Sequence, residues 1–251
     1  MTILKRFSTP LLATCFAIAL AACNNSADTA KAAADITKMD TTKMDTAKAA
    51  PAPVAAPALA APFDVAEANE TLKDFAAWKP AFDSGEANRK AAGLEKIALS
   101  QVMDKPNSIQ IVLKVADVQK AKDFYASPNM KEVMQKAGVI AKSQFNFFHV
   151  IKFNPDSKEK QWVEVTHKVK NFDAWVKVYD AEGAEKRKSE GMVEVAMARG
   201  MGADSNNVQL VFDITDMAKA KAAIASAGKK KLMTSAGVMG MPKIVYYKSV
   251  D

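Results

Sequence analysis

His167 is the residue with the widest chemical range in the chain, which has two histidines in all. It lies in the run WVEVTHKV (162–169), where Val163, Val165, His167 and Val169 alternate onto one side, as in a half-buried strand. An imidazole on that face could act as a general base or hydrogen-bond a ligand. The blander reading is a half-buried core histidine. Trp175 and Tyr179 follow on one face of the next predicted helix, and Trp78 occupies the same place earlier in the chain. Together they are candidate pocket walls, although aromatic anchors of a core have the same spacing. His149 reads as an ordinary strand residue. G-x-S-x-G, H-E-x-x-H, phosphate-loop and dinucleotide patterns are absent, so the sequence points to no cofactor. Metal-ligand clusters are missing too, because both cysteines, Cys15 and Cys23, precede the part expected to fold.

These candidates belong to a pattern that occurs twice. Residues 108–127 (SIQIVLKVADVQKAKDFYAS) match residues 207–226 (NVQLVFDITDMAKAKAAIAS), with 8 of 20 positions identical. At an offset of 97, residues 75–83 (FAAWKPAFD) match 172–180 (FDAWVKVYD), and Met134 with 137–139 (AGV) matches Met233 with 236–238 at 99. A fixed long period is settled before any fold is assigned, and two copies indicate a tandem duplication. His167 falls opposite Glu70 in this alignment, so a site built on it would belong to one copy. Gln110 and Gln209 recur on the strand face turned away from the helices and are expected to hydrogen-bond across a seam. Lys114 and Asp213 share a position with opposite charge, which reads as two exposed strand residues or, in the sharper reading, as an ion pair across the same seam.

The second copy is the clearer one. It predicts strands at 162–169, 192–201, 208–215 and 243–248, with helices after Asn171 and Asp216 as N-caps. The first copy predicts helices near 71–91 and 117–137, strands near 94–103, 108–116 and 144–152, and a weak opening strand at 64–70. Strand, helix, two strands, helix, strand is the split βαβ pattern of a ferredoxin-like unit. The fold class expected is therefore α+β, two tandem ferredoxin-like repeats (βαββαβ). The Phe-x-x-Trp-x-x-x-Phe/Tyr-Asp helix, the Asp-x-x-Lys-Ala-Lys helix and the Ala-Gly-Val before the last strand resemble the dimeric α/β-barrel superfamily, which contains antibiotic-biosynthesis-type monooxygenases. The resemblance covers about residues 65–250 and implies that the halves pack sheet to sheet as a pseudo-dimeric α/β barrel, a monomer with an internal pseudo-two-fold axis. Haem-degrading and haem-binding members need placed His, Asn or Trp residues, and none of those motifs is matched here.

The start of the chain carries an address. Lys5 and Arg6 precede an apolar run over residues 11–22, too short to span ~30 Å of hydrocarbon and suited to a secretory signal. Leu20-Ala21-Ala22-Cys23 resembles the lipobox of bacterial lipoproteins. That resemblance implies cleavage before Cys23 and lipidation of its thiol and amine, with membrane lipid as the partner. Several acyl chains at ~0.8 kcal/mol per buried methylene hold a protein where one does not. Asn24 after the cysteine resembles an outer-membrane sorting pattern, placing the folded part in the periplasm or at the surface.

Four domains follow: 1–22 signal peptide, 23–62 lipidated Cys23 and tether, 63–155 first repeat, 156–251 second repeat. The tether balances four Asp against four Lys and turns to Ala/Pro, a composition that cannot offset chain entropy by burial. Net charge is +7, with clusters at 186–188 and 229–231 that read as a solvated lysine face. Nucleic-acid binding is not expected, since no recognition module is present. The functional expectation is a lipid-anchored envelope protein serving as a non-catalytic small-molecule-binding or structural module. The alternative is a cofactor-independent monooxygenase or isomerase-like enzyme on a small apolar substrate, with one asymmetric site near His167.

Overall fold

A computed structural model describes residues 60–250 except Lys142. The signal, Cys23 and almost all of the tether lie outside the described residues.

The first copy comprises β1 (Phe63–Thr71), α1 (Phe75–Ser84), α2 (Glu86–Ala91), β2 (Leu94–Val102), β3 (Lys105–Val115), α3 (Val118–Ala126), α4 (Pro128–Lys136) and β4 (Gln144–Phe153). The second repeats it as β5 (Gln161–Val169), α5 (Phe172–Glu182), α6 (Ala184–Ser189), β6 (Met192–Gly200), β7 (Asn207–Ile214), α7 (Met217–Ala225), α8 (Ala227–Ser235) and β8 (Val238–Ser249). The expected helices near 71–91 and 117–137 and after Asn171 are each two, and the helix expected over 217–227, with a turn or short helix after it, is α7 followed by α8. α3 gives way to α4 where Ser127 leaves the helical region at φ −61° and ψ 143° and caps Met130 N–H with its hydroxyl, ahead of Pro128 at the start of α4. Ser226 does the same between α7 and α8. The helix starts are capped alike in the two copies, by Asp74 and Asn171 and by Asp117 and Asp216.

Within each copy the strands lie 4-1-3-2, all antiparallel, and the two four-stranded sheets close into one barrel in the order β1-β3-β2-β8-β5-β7-β6-β4. The copies meet along β4·β6 and β2·β8. The weak opening strand forms fully, registered against β3 and β4. Closure buries both faces of the sheet. Outward-facing residues pack under the helices in two equivalent cores, one around Trp78 and one around Trp175. Inward-facing residues make a third core, with Phe63, Val65, Phe148, Val150 and Ala198. The chain is thus a pseudo-dimeric α/β barrel within one polypeptide. Among the described residues no helix is long and apolar enough to cross a membrane.

Candidate functional site

The cavity under the helices of the second copy is assembled by β5 and α5. The Asn171 carboxamide accepts from Ala174 N–H at 2.8 Å, which fixes the start of α5. Three- and four-residue spacing then lays Phe172, Trp175 and Tyr179 along the sheet. Trp175 and Tyr179 stack at 5.2 Å, and Trp175 meets the His167 ring at 5.4 Å and 58°. His167, Trp175 and Tyr179 therefore line one cavity, of about 70 Å³, together with Val165, Leu210 and Phe212. Trp78 does not join them, because it sits in the equivalent place under the helices of the first copy.

His167 is 6 % exposed, and among the described residues neither ring nitrogen has a hydrogen-bond partner. Burial holds its pKa down at about 4, so the ring is neutral at pH 7. Tyr179 donates its hydroxyl to Glu194, and burial, then that bond, push the phenol far up. Arg187, 5 % exposed, lies 4.0 Å over the Tyr179 ring and donates Nη1–H to the Tyr179 carbonyl at 3.0 Å. Its counter-charges are Glu182 at 3.5 Å and Glu194 at 3.7 Å. Lys229 bonds Glu182 and, at 2.9 Å, Glu190. Burial works against the Glu190 carboxylate, but bonds from Lys229 and Lys186 outweigh it and hold the pKa low. Lys229 and Arg187 are thus locked in a buried network that seals the cavity, which corrects the reading of 186–188 and 229–231 as wholly solvated.

The same space in the first copy is built differently. Glu70 stands in place of His167, 7 % exposed, accepting from Ser143 Oγ–H at 3.1 Å, with its pKa raised by burial. Phe82 replaces Tyr179 and stacks on Trp78 at 4.8 Å. Arg89 repeats Arg187, 3.8 Å over the Phe82 ring with Nη1–H donated to the Phe82 carbonyl at 2.6 Å. The cavity measures about 470 Å³.

Sequence reasoning passed over the centre of the barrel. Glu67 and Glu164 recur 97 positions apart, and that recurrence was the available signal. Gln110 of the first copy donates to Glu164 of the second at 2.6 Å, and Gln209 of the second donates to Glu67 of the first. Asn69 adds a bond to Glu67 at 2.6 Å and its counterpart Thr166 one to Glu164 at 3.2 Å. Gln110 also donates to the Tyr247 hydroxyl at 3.2 Å, where the first copy has Phe148. The recurring glutamines do bridge the seam. Burial first, and the charge of Glu67 second, push the Glu164 carboxyl up toward its protonated form. Glu67, Gln110, Glu164 and Gln209 line a cavity of about 310 Å³ inside the barrel.

The expected ion pair between Lys114 and Asp213 does not form. Asp213 turns to Ser157 Oγ–H at 2.9 and 2.8 Å, and Lys114 lies 5.8 Å over the Phe63 ring. Each long side chain finds a partner in its own copy. His149 is exposed and lies 2.7 Å from Asp64 across the β1·β4 pair.

No family model and no curated protein matches the chain. It is similar to a candidate monooxygenase from Fusobacterium nucleatum subsp. nucleatum ATCC 25586, at 11 % identity over 76 % of this chain and 94 % of that one, TM-score 0.51. It is similar to an anthrone oxidase-like protein at 13 % identity over 76 % and 92 %, TM-score 0.51. It also aligns with a ferredoxin-fold protein related to antibiotic biosynthesis monooxygenases from Listeria monocytogenes 4b F2365, at 8 % identity over 76 % and 96 %, TM-score 0.45. What is shared at these identities is the fold.

Proposed function

We propose that the chain is a lipid-anchored cell-envelope protein that binds a small, largely apolar molecule without transforming it, in the second copy's cavity. The observation that carries this reading is the His167 imidazole, buried in an apolar cavity with both nitrogens unpartnered. A buried polar group left unmade costs about 1–3 kcal/mol, and such exceptions call for a reason. A ligand hydroxyl or carbonyl supplies one, because a neutral imidazole both donates and accepts. The cavity of about 70 Å³ takes the polar end of such a molecule; admitting its body requires α5 and α8 to part. The anchor rests on Leu20-Ala21-Ala22-Cys23 and the outer-membrane placement on Asn24.

Native mass spectrometry of the detergent-extracted protein tests this directly. A small molecule should accompany the wild type and be lost from His167→Phe. Equal occupancy in both would remove His167 from the site. Cys23→Ser should move the protein from the membrane fraction to the soluble one, and retention on the membrane would refute the anchor.

The second reading, a cofactor-independent monooxygenase or isomerase with His167 as base, draws on the same observation, since the neutral ring has a lone pair free to take a proton. Its pKa of about 4 makes it a weak base until a bound substrate changes its surroundings. Substrate-dependent oxygen uptake or isomerisation, abolished in His167→Gln, would favour this reading over passive binding.

A further inference from the structure

Aligning the copies residue by residue shows that the clasp between the paired helices was kept while its counter-charge was not. Arg89 and Arg187 each stack on an aromatic ring of the preceding helix, Phe82 and Tyr179, and each donate to that residue's carbonyl. In the second copy Glu182 approaches the guanidinium to 3.5 Å, and Lys229 with Glu190 completes the seal. The corresponding positions of the first copy hold Ser84, Met130 and Ala92, with no acid among them. A Cβ built on Gly85, the counterpart of Gly183, would lie 3.1 Å from Arg89 Nη1, so this position abuts the guanidinium. The acids nearest in sequence are occupied elsewhere, Asp83 with Lys79 at 2.7 Å and Glu86 with Lys90 at 2.6 Å. Among the described residues no carboxylate pairs with Arg89. The loss of the seal accompanies the difference in size, about 470 Å³ against about 70 Å³. The larger value falls in the range of small-molecule pockets, about 300–1,000 Å³.

We propose that the first copy's cavity is a second and separate binding site, for a small organic monocarboxylate with an apolar, ring-sized body. Its carboxylate lies beside Gly85, paired with Arg89 as Glu182 is paired with Arg187. Its body lies against Trp78, Ile111 and Met134, which line the same space. A guanidinium matches a carboxylate in shape as well as charge, which an amine or alcohol cannot exploit. Glu70 lies in the same lining, its carboxyl raised by burial.

The test is calorimetric titration of the detergent-solubilised full chain with 3-phenylpropionate, alongside 3-phenylpropan-1-ol and 3-phenylpropylamine. The acid should bind saturably at one equivalent, and at least about tenfold more tightly than either neutral or cationic analogue. Gly85→Glu, which puts a tethered carboxylate beside Arg89, should remove that binding while the circular dichroism spectrum stays that of the wild type. Alcohol or amine binding as tight as the acid would overturn the proposal. So would undiminished acid binding by a folded Gly85→Glu variant, or no saturation by any of the three. The ligand comparison decides the matter even if that variant fails to fold.

Discussion

At the scale of single residues, burial of ionisable groups gives the protein a pH dependence with two opposed signs. His167 is held at about 4 instead of the ordinary 6.5, so between those values the native state binds fewer protons than the unfolded chain. Its contribution is complete above 6.5 and is lost as the pH falls toward 4, amounting to about 3 kcal/mol in all. Urea melts of the wild type and His167→Phe at neutral pH and near pH 4.5 should show the wild type losing more, by about 2 kcal/mol; parallel losses would contradict the burial of a neutral ring. Glu164 runs the other way. Its raised carboxyl stabilises the fold in acid, and that contribution is lost as the pH rises. Glu164→Gln keeps an acceptor for Gln110 and should melt higher than the wild type above neutrality; a lower melting temperature there would show that the charged form is the one the barrel needs. His167 could be placed from sequence because alternation alone sets its face. Glu67 and Glu164 could not, because a glutamate between valines reads as the solvent side of a strand. Only closure of the barrel turns that side inward.

Secondary-structure elements were mostly legible, and the exceptions have local causes. Strand ends fall within a few residues of expectation, except that β8 begins at Val238 and not at Lys243. The split helices were partly hidden, because the apolar spacing continues through Ser127 and Ser226 while the backbone leaves the helical region there. Each serine hydroxyl caps the helix that follows it, Ser127 to Met130 N–H and Ser226 to Lys229 N–H. Ser226→Ala should therefore cost about 1 kcal/mol in chemical denaturation, and no change would mean the break is held by packing alone. The two joints between copies are unequal. β2·β8 is registered through Ser100–Ser249, Gln101–Lys248 and Val102–Tyr247, a shorter ladder than β4·β6. Hydrogen exchange should open β2·β8 first; slower exchange there than along β4·β6 would place the weak joint on the other side.

The whole molecule closes its barrel within one chain, from two copies of one unit. The recurring 108–127 and 207–226 stretches were enough to predict this, whereas the unequal cavities were not. Their difference depends on which side chains oppose Arg89 and Arg187 across separate helices, and that pairing is absent from any local pattern. A self-sufficient pseudo-dimer should melt at a temperature independent of protein concentration, and a rise on concentrating it would reveal a required second subunit. Sheet margins with unsatisfied amides are where polypeptides recruit one another into fibrils. Here β2 caps β8 and β4 caps β6, so the ring offers no template for lateral growth. Molecules confined by a lipid anchor to two dimensions, as proposed above, could reach very high local density and still slide past one another.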